Sequence, residues 1–252
     1  MAYLITADLH GDLDWFDQLK LLSRDHSATL VAGDVLNMHA DQSEGSKVKP
    51  FLELSQDFEQ EDKCLLFTSG NHDLDDLVLL DGLDLLGEGL AANDTEWMRF
   101  PLENDLSYVS GYETIREFED LIVISIRWFS WAFDDLDQEL RTEELCKQGF
   151  KIAQRKAKRV ALLYHEPPES SYFIESLVLR FRPDFFIHGH EHEPPFQKGP
   201  VRVVADTIVL NPGQRLQCEK LSYGVLNPDQ MYFEWFPNNG ATSERIDLKQ
   251  FT

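Results

Sequence analysis

Short apolar runs rich in β-branched residues recur along the 252-residue chain, and they constrain its fold more than any other feature. Runs of this length and composition are typical of strands that are buried on both faces within a layered fold. The runs are Tyr3–Ala7, Thr29–Ala32, Leu65–Thr68, Leu121–Ile126, Val160–Tyr164, Phe185–Ile187, Val201–Ala205, Thr207–Leu210 and Met231–Phe236. We therefore predict a strand at each of them.

Polar and amphipathic stretches separate the runs and predict helices at Asp14–His26, Lys49–Glu61, Asp137–Arg159 and Ser171–Phe181. Strands that alternate with helices and then follow one another closely indicate an α/β sandwich with a mixed sheet. The length suits one domain over residues 1–252. Residues 73–120 are the least regular part of the chain and are interpreted as a possible lid or insertion.

Five of the predicted strands end at a side chain that can bind a metal ion. Ligand sites of open α/β sheets lie at the carboxyl ends of strands, so adjacent parallel strands would bring these side chains together. Imidazole and carboxylate groups together suit divalent ions such as Mn, Fe, Zn or Co. The candidate ligands are Asp8, His10, Asp34, Asn71, His165, His190 and His192.

The spacing of these residues favours a site with two metal ions. Asp8 and His10 are two residues apart, as are His190 and His192, and alternate residues of an extended segment point the same way. Each pair can therefore present two ligands to one side. A carboxylate between two ions about 3.5–4 Å apart would complete a two-metal clamp.

In this order the blocks resemble the calcineurin-like metallophosphoesterase superfamily, whose pattern is D-x-H, G-D, G-N-H-[DE], a lone H and G-H-x-H. Each block alone is weakly specific, whereas five in order at strand ends form a specific signal. The matching blocks are Asp8-Leu9-His10, Gly33-Asp34, Gly70-Asn71-His72-Asp73, His165 and Gly189-His190-Glu191-His192. The resemblance implies a two-layer mixed β-sandwich flanked by helices.

The resemblance also implies a role for each matching residue. Asp8, His10 and His192 would hold the first metal ion, and Asn71, His165 and His190 the second. Asp34 would bridge the two ions, and His72 would be the catalytic residue that stabilises or protonates the leaving group. The implied activity is hydrolysis of a small phosphodiester or phosphomonoester by a hydroxide shared between two divalent ions (Mn, Fe, Zn, Ni or Co, with Mn favoured).

Two departures narrow the resemblance. The protein Ser/Thr phosphatase branch carries G-D-x-V-D-R-G, but here Asn37 replaces the second Asp and Met38 replaces the Arg. The G-D-x-x-Y signature of purple acid phosphatases is absent too, since Asn37 stands at the place of its Tyr. The bacterial-type group of small phosphodiesterases and phosphomonoesterases remains.

The charge balance argues against two classes of partner. The chain has 45 Asp and Glu against 23 Lys and Arg, a formal net charge of -22. Nucleic-acid binding usually requires a basic surface, and anionic membranes attract basic segments.

A nuclease of the same superfamily and a non-catalytic metal-binding scaffold are the alternatives to a small-ester hydrolase. The complete ligand set and His72 favour catalysis over the scaffold.

The sequence also predicts a cytoplasmic location. The N-terminal residues lack a basic region, no apolar stretch approaches the ~20 residues of a membrane helix, and the three cysteines are widely separated.

The sequence leaves two local questions open. Asp12 could orient a metal ligand or cap the helix that follows, with the cap favoured, and the aromatic residues 128–133 could line a pocket or belong to the core.

Overall fold

Two β-sheets stacked face to face form the centre of the protein, and helices cover both outer faces. This arrangement is seen in a computed structural model, which describes residues 1–35, 48–73, 109–110, 114–128, 136–192, 199–214, 218–238 and 242–252. The expected α/β fold, a mixed two-layer β-sandwich flanked by helices, is confirmed.

The first sheet combines parallel strands from the N-terminal part of the chain with antiparallel strands from its end. The parallel strands are β1 (Tyr3–Thr6), β2 (Ala28–Ala32), β3 (Cys64–Thr68) and β4 (Val109–Ser110). The sheet continues from β1 through three strands, each antiparallel to the one before it: β11 (Tyr223–Asn227), β12 (Tyr232–Phe236) and β13 (Glu244–Asp247). The strand order is β13-β12-β11-β1-β2-β3-β4.

The second sheet is parallel at its centre and antiparallel at both edges. Its strands are β5 (Thr114–Glu117), β6 (Leu121–Ser125), β7 (Arg159–Leu163), β8 (Phe185–Ile187), β9 (Val201–Val204) and β10 (Thr207–Leu210). They follow the order β5-β6-β7-β8-β10-β9. Strands β6, β7, β8 and β10 are parallel, and the outer strands β5 and β9 each pair antiparallel.

Each sheet is covered by a pair of helices. Helices α1 (Leu13–Ser23) and α2 (Val48–Gln60) pack on the first sheet, and α3 (Leu136–Lys156) and α4 (Tyr172–Phe181) pack on the second. Asp12 is the N-cap of α1, because its carboxylate accepts a hydrogen bond from the backbone N–H of Trp15 at 3.1 Å. The cap interpretation of Asp12 is thus confirmed.

Alternation along the strands divides the apolar side chains among three layers. In β1, Tyr3 and Ile5 lie between the two sheets, whereas Leu4 lies under helices α1 and α2. In β6, Leu121 and Val123 lie between the sheets and Ile122 lies under α3. Both faces of each central strand are therefore buried, as the continuous apolar runs predicted.

The strands that carry the candidate ligands end at one edge of the sandwich, but they do not belong to one sheet. Strands β1, β2 and β3 lie in the first sheet, and β7 and β8 lie in the second. The site therefore spans the seam between the sheets, whereas adjacent strands of one sheet were expected. Within the described residues no helix is long and apolar enough to cross a membrane.

Several sequence predictions fall outside the described residues. The proposed lid at 73–120 lies almost wholly in undescribed stretches, and so do Asn37, Met38 and the aromatic residues 129–133. The lid, the single-domain boundary and the pocket interpretation of the aromatic residues therefore stay predictions.

Candidate metal centre

The loops after β1 and β2 run side by side and set the first part of the site. The backbone N–H of Asp8 donates to the carbonyl of Gly33 at 3.0 Å, and that of His10 donates to the carbonyl of Asp34 at 2.8 Å. Asp8, His10 and Asp34 have φ values of 54°, 46° and 48°, in the left-handed region. The extended D-x-H segment expected from the sequence is thus wrong, and a twisted loop presents these ligands instead.

The loop after β3 is fixed to the loop after β2 by two carboxylates. Asp73 is buried and accepts hydrogen bonds from the backbone N–H groups of Gly70 at 2.9 Å and Val35 at 3.2 Å. The other carboxylate is that of Asp34, which accepts a bond from the backbone N–H of His72 at 2.8 Å. Asp73 and Asp34 therefore hold the two loops together.

Four side chains gather into a group that could hold one metal ion. One ligand atom from each of Asp8, His10, Asp34 and His192 lies within 4.8 Å of the others. The Nε2 atoms of His10 and His192 are 3.2 Å apart, and the His192 Nε2 is 3.4 Å from a carboxylate oxygen of Asp8. Two ring nitrogens and a carboxylate oxygen aimed at one point are a donor set for a divalent cation.

The remaining candidates form a second group beside the first. The side-chain oxygen of Asn71 lies 2.8 Å from the Nε2 of His165 and 2.9 Å from the Nδ1 of His190. Those two ring nitrogens are 3.2 Å apart. The His190 and His192 pair is therefore divided, since His190 joins this group and His192 joins the other.

Asp34 lies between the two groups. Its Oδ2 is 3.3 Å from the Nε2 of His165 and 3.8 Å from the Nε2 of His10. Its other oxygen accepts the bond from His72, so the orientation of the carboxylate is fixed. One oxygen within reach of both groups is the arrangement that a bridging ligand requires.

The orientation of His165 is set by the backbone of the neighbouring sheet. This residue is fully buried, and its Nδ1 lies 3.0 Å from the carbonyl oxygen of Ala32. A carbonyl accepts only, so Nδ1 carries the proton and Nε2 is left to face Asn71 and Asp34. A partner of this kind typically fixes both the tautomer and the ring orientation of a metal-binding histidine.

The pKa values of three side chains reflect this crowding. Burial lowers the pKa of His10 to about 4 against the pull of Asp34 and Asp8, so its ring is neutral and can donate a lone pair. Burial opposes the ionisation of Asp34, yet His165 and the N–H of His72 bring its pKa down to about 2. Burial also opposes the charging of His165, and the Asp34 carboxylate outweighs it and raises the pKa.

The donor chemistry of the site fits a bound cation. One carboxylate oxygen of Asp8 accepts a bond from the backbone N–H of His190 at 2.9 Å. The other oxygen is buried and accepts no hydrogen bond from the described residues. A buried acceptor in that state costs about 1–3 kcal/mol, a penalty that a nearby cation would offset.

Close backbone approach explains two of the glycines in the motifs. A Cβ atom at Gly189 would lie 2.6 Å from the Cβ of Ala7 and 2.8 Å from a carboxylate oxygen of Asp8. A Cβ at Gly70 would overlap the carboxylate of Asp34. Both positions therefore require glycine for the loops to meet around the ligands.

His72 lies at the edge of the centre, and His188 lies behind it. The ring of His72 packs edge-on against that of His10 with 4.8 Å between centroids, and the side chain is half-buried. His188 is buried, and burial lowers its pKa to about 3. His72 is thus placed beside the ligands, with a face toward solvent.

Three residues beside the site were not among the site residues predicted from sequence. Trp128 donates its indole N–H to the buried carboxylate of Glu166 at 2.9 Å, next to His165. Asn211 donates to the carbonyl of Glu191 at 3.4 Å and so supports the loop that carries His190 and His192. The only sequence signal for Glu166 was its place directly after His165.

A groove of about 830 Å³ lies at the opposite edge of the sandwich, where the parallel strands begin. Its charged groups pair with one another or with neighbours: the N-terminal ammonium group with Asp120 and Asp229, and Arg159 with Asp184. The groups of histidine, carboxylate and amide side chains described above lie at the other edge, so we place the functional site there.

Comparison with known proteins agrees with this geometry. The family model for calcineurin-like phosphoesterases matches residues 1–194. The chain belongs to this family. No curated protein sequence matches the chain.

Solved structures show the same fold at low sequence identity. The structure of TT1561 of Thermus thermophilus has a TM-score of 0.59 and 12% identity, and the match covers 98% of each chain. Purple acid phosphatase PPD1 from yellow lupin (Lupinus luteus) seeds has a TM-score of 0.59 and 13% identity, with 98% of this chain and 53% of that one covered. At these identities the likeness shows a common fold for this calcineurin-like phosphoesterase.

Proposed function

We propose that this protein hydrolyses a small phosphodiester or phosphomonoester with two divalent metal ions. The observation that carries the proposal is the position of the Asp34 carboxylate between the two ligand groups, with one oxygen 3.3 Å from His165 and 3.8 Å from His10. Two bound ions would lower the pKa of a shared water molecule and neutralise charge on the phosphoryl oxygens.

Each candidate residue has a separate role in the proposed reaction. Asp8, His10 and His192 would hold one ion, Asn71, His165 and His190 would hold the other, and Asp34 would be shared between them. The hydrogen bonds to Asp34 and His165 keep the ligands in place before substrate arrives, so that little reorganisation is needed during the reaction. His72 stands beside them and donates a proton to the departing oxygen.

The class of substrate follows from the charge of the chain. A net charge of -22 repels a polyanion at long range, which disfavours nucleic acid and favours a small ester. Manganese is the ion we favour, since imidazole, carboxylate and amide groups can all coordinate it. We also infer a cytoplasmic location, in keeping with the free thiols of Cys64, Cys146 and Cys218.

The proposal is tested by hydrolysis of bis(p-nitrophenyl) phosphate and p-nitrophenyl phosphate after Mn²⁺ is added to metal-stripped protein. We expect metal-dependent turnover of at least one ester, and the preferred ester separates a diesterase from a monoesterase. Asp34→Asn should lose most of that activity, since the bridging charge is gone. Asp206→Asn is the matched control, because Asp206 is an exposed carboxylate paired with Arg182.

The alternatives predict different results. A non-catalytic scaffold would bind Mn²⁺ and turn over neither ester, and a nuclease would cleave DNA or RNA in preference to the small esters. Protein that binds fewer than two Mn²⁺ ions per chain would refute the dinuclear site itself.

A further inference from the structure

The segment after β6 crosses from the second sheet to the first beside the metal centre. Ser125 donates its hydroxyl to the carbonyl of Phe67 at 3.2 Å, and Thr68 donates its hydroxyl to the carbonyl of Ile126. These bonds join the ends of β6 and β3 across the seam between the sheets. They bring the chain that leaves β6 to the loop that carries Asn71.

Trp128 continues this connection and reaches both halves of the second ligand group. Its backbone N–H donates to the hydroxyl of Ser69 at 3.3 Å, two residues before Asn71. Its indole N–H donates to a carboxylate oxygen of Glu166 at 2.9 Å, one residue after His165. Trp128, in the segment that follows β6, thus contacts both the loop after β3, which carries Asn71, and the loop after β7, which carries His165.

We propose that Trp128 and Glu166 are positioning residues that set the geometry of the Asn71–His165 pair. This inference rests on the proposed function, because it assumes that Asn71, His165 and His190 hold the second ion. The side chains of Asn71 and His165 are 2.8 Å apart, and they come from loops of different sheets. The indole–carboxylate bond fixes the loop after β7 relative to β6, and the bond to Ser69 fixes the loop after β3 to the same point.

The hydrogen bond between Trp128 and Glu166 can fix the position of His165 because the bond is buried. Glu166 is 6% exposed, so its carboxylate cannot exchange the indole partner freely for water. A charged acceptor makes a stronger hydrogen bond than a neutral one, and a buried charge that loses a donor moves to recover solvation. Movement of Glu166 would carry the adjacent His165 with it, so the effect falls on the second ligand group and spares the first.

Calorimetric titration of metal-stripped full-length protein with Mn²⁺ tests this inference. We expect two sites in the wild type and, in Trp128→Phe, about 10- to 100-fold weaker binding at one site with the other unchanged, the usual effect of losing a residue that orients a ligand. Glu166→Leu should match Trp128→Phe, whereas Glu166→Gln keeps an acceptor oxygen and should restore binding toward the wild-type value.

Trp15→Phe is the matched control, since it removes an indole hydrogen bond of the same kind, from Trp15 on helix α1 to the carbonyl of Cys218 at 3.0 Å. Unchanged binding at both sites in Trp128→Phe, or equal binding in Glu166→Leu and Glu166→Gln, would overturn the inference. Wild-type protein with fewer than two sites would instead overturn the proposed function. If Trp128→Phe does not fold, the two Glu166 variants alone decide the result.

Discussion

At the scale of single residues, His72 is the side chain with a proposed catalytic role that is separate from metal binding. Its backbone is held by Asp34, its ring lies against that of His10, and it is half-buried at the edge of the ligand cluster. A side chain in this place can give a proton to a departing oxygen without occupying a coordination position. Such general-acid assistance typically contributes about 10²- to 10⁴-fold.

We therefore expect His72→Asn to keep its metal content and to lose activity in a way that depends on the leaving group. p-Nitrophenolate departs without a proton near neutral pH, so its ester should lose little. An alkyl or phenyl ester, whose leaving group needs the proton, should lose about 10²- to 10⁴-fold in kcat. Steady-state kinetics on matched esters measures this.

The surface residue His26, which lies at the end of α1 and bonds to the carbonyl of Leu22, provides the control variant His26→Asn. Equal losses for both kinds of ester in His72→Asn would instead assign His72 a role in holding Asp34 or His10.

At the scale of the element, helix α1 begins directly after the first ligand loop, and its start is set by Asp12. The carboxylate of Asp12 satisfies a backbone N–H of the first helical turn. Loss of such a cap typically costs about 0.5–2 kcal/mol of folding free energy. The helix also buries Trp15, Phe16 and Leu19 against the first sheet, so fraying at its start would reach the core.

Asp12→Ala should therefore lower the free energy of unfolding by about 1 kcal/mol, whereas Asp12→Asn keeps a cap oxygen and should lose less. Urea denaturation of metal-stripped protein measures both values without contributions from bound ions. If the Asn variant were as destabilised as the Ala variant, the charge of Asp12 and not its cap bond would be the stabilising feature.

Elements with a long apolar or amphipathic pattern were predictable from the sequence, whereas strands β11 and β13 were not. Helix α4 and strand β8 were predicted to within a residue, because buried runs and cap residues mark their limits. Strand β13 (Glu244–Asp247) is charged and lies at a sheet edge, and β11 contains Gly224 and is half-buried at alternate positions. Their strand character comes from pairing with neighbours, which no local pattern records.

The candidate site divides in the same way. The candidate ligands could be proposed from the sequence because strand ends, donor atoms and motif order all pointed to them. The left-handed backbone at Asp8 and His10, the division between two sheets and the Trp128–Glu166 bond could not, since each depends on segments far apart in the chain.

At the scale of the whole molecule, the excess of carboxylates is the dominant electrostatic feature. With a formal charge of -22, many acidic side chains repel one another across the surface, and the compact state concentrates that repulsion. Salt screens such interactions, since the Debye length falls from about 10 Å at 0.1 M to about 3 Å at 1 M. Screening should therefore stabilise the folded protein.

We expect the Tm of metal-stripped protein to rise as the NaCl concentration is raised from about 0.1 M to about 1 M, because the Debye length falls over this range. Differential scanning calorimetry measures the change. A variant in which several exposed carboxylates, such as Asp17 and Asp25, are changed to Asn should show a smaller rise. A Tm that is flat or falls with salt would mean that the exposed ion pairs outweigh the repulsion.

The left-handed backbone of the ligand loops also limits how this protein can change over evolutionary time. Asp8, His10, Asp34 and His190 all have positive φ angles, a region that Asn, Asp and His enter more readily than most residues and that β-branched residues avoid. In the proposed site each of these positions therefore has two requirements, one for its donor atom and one for its backbone. Exchange between Asp and Asn keeps an oxygen donor and the backbone conformation and changes the charge, whereas Val, Ile or Thr disfavours the backbone conformation. A descendant adapting to another metal ion would thus more readily change charge at a fixed ligand position than recruit a ligand of a different shape.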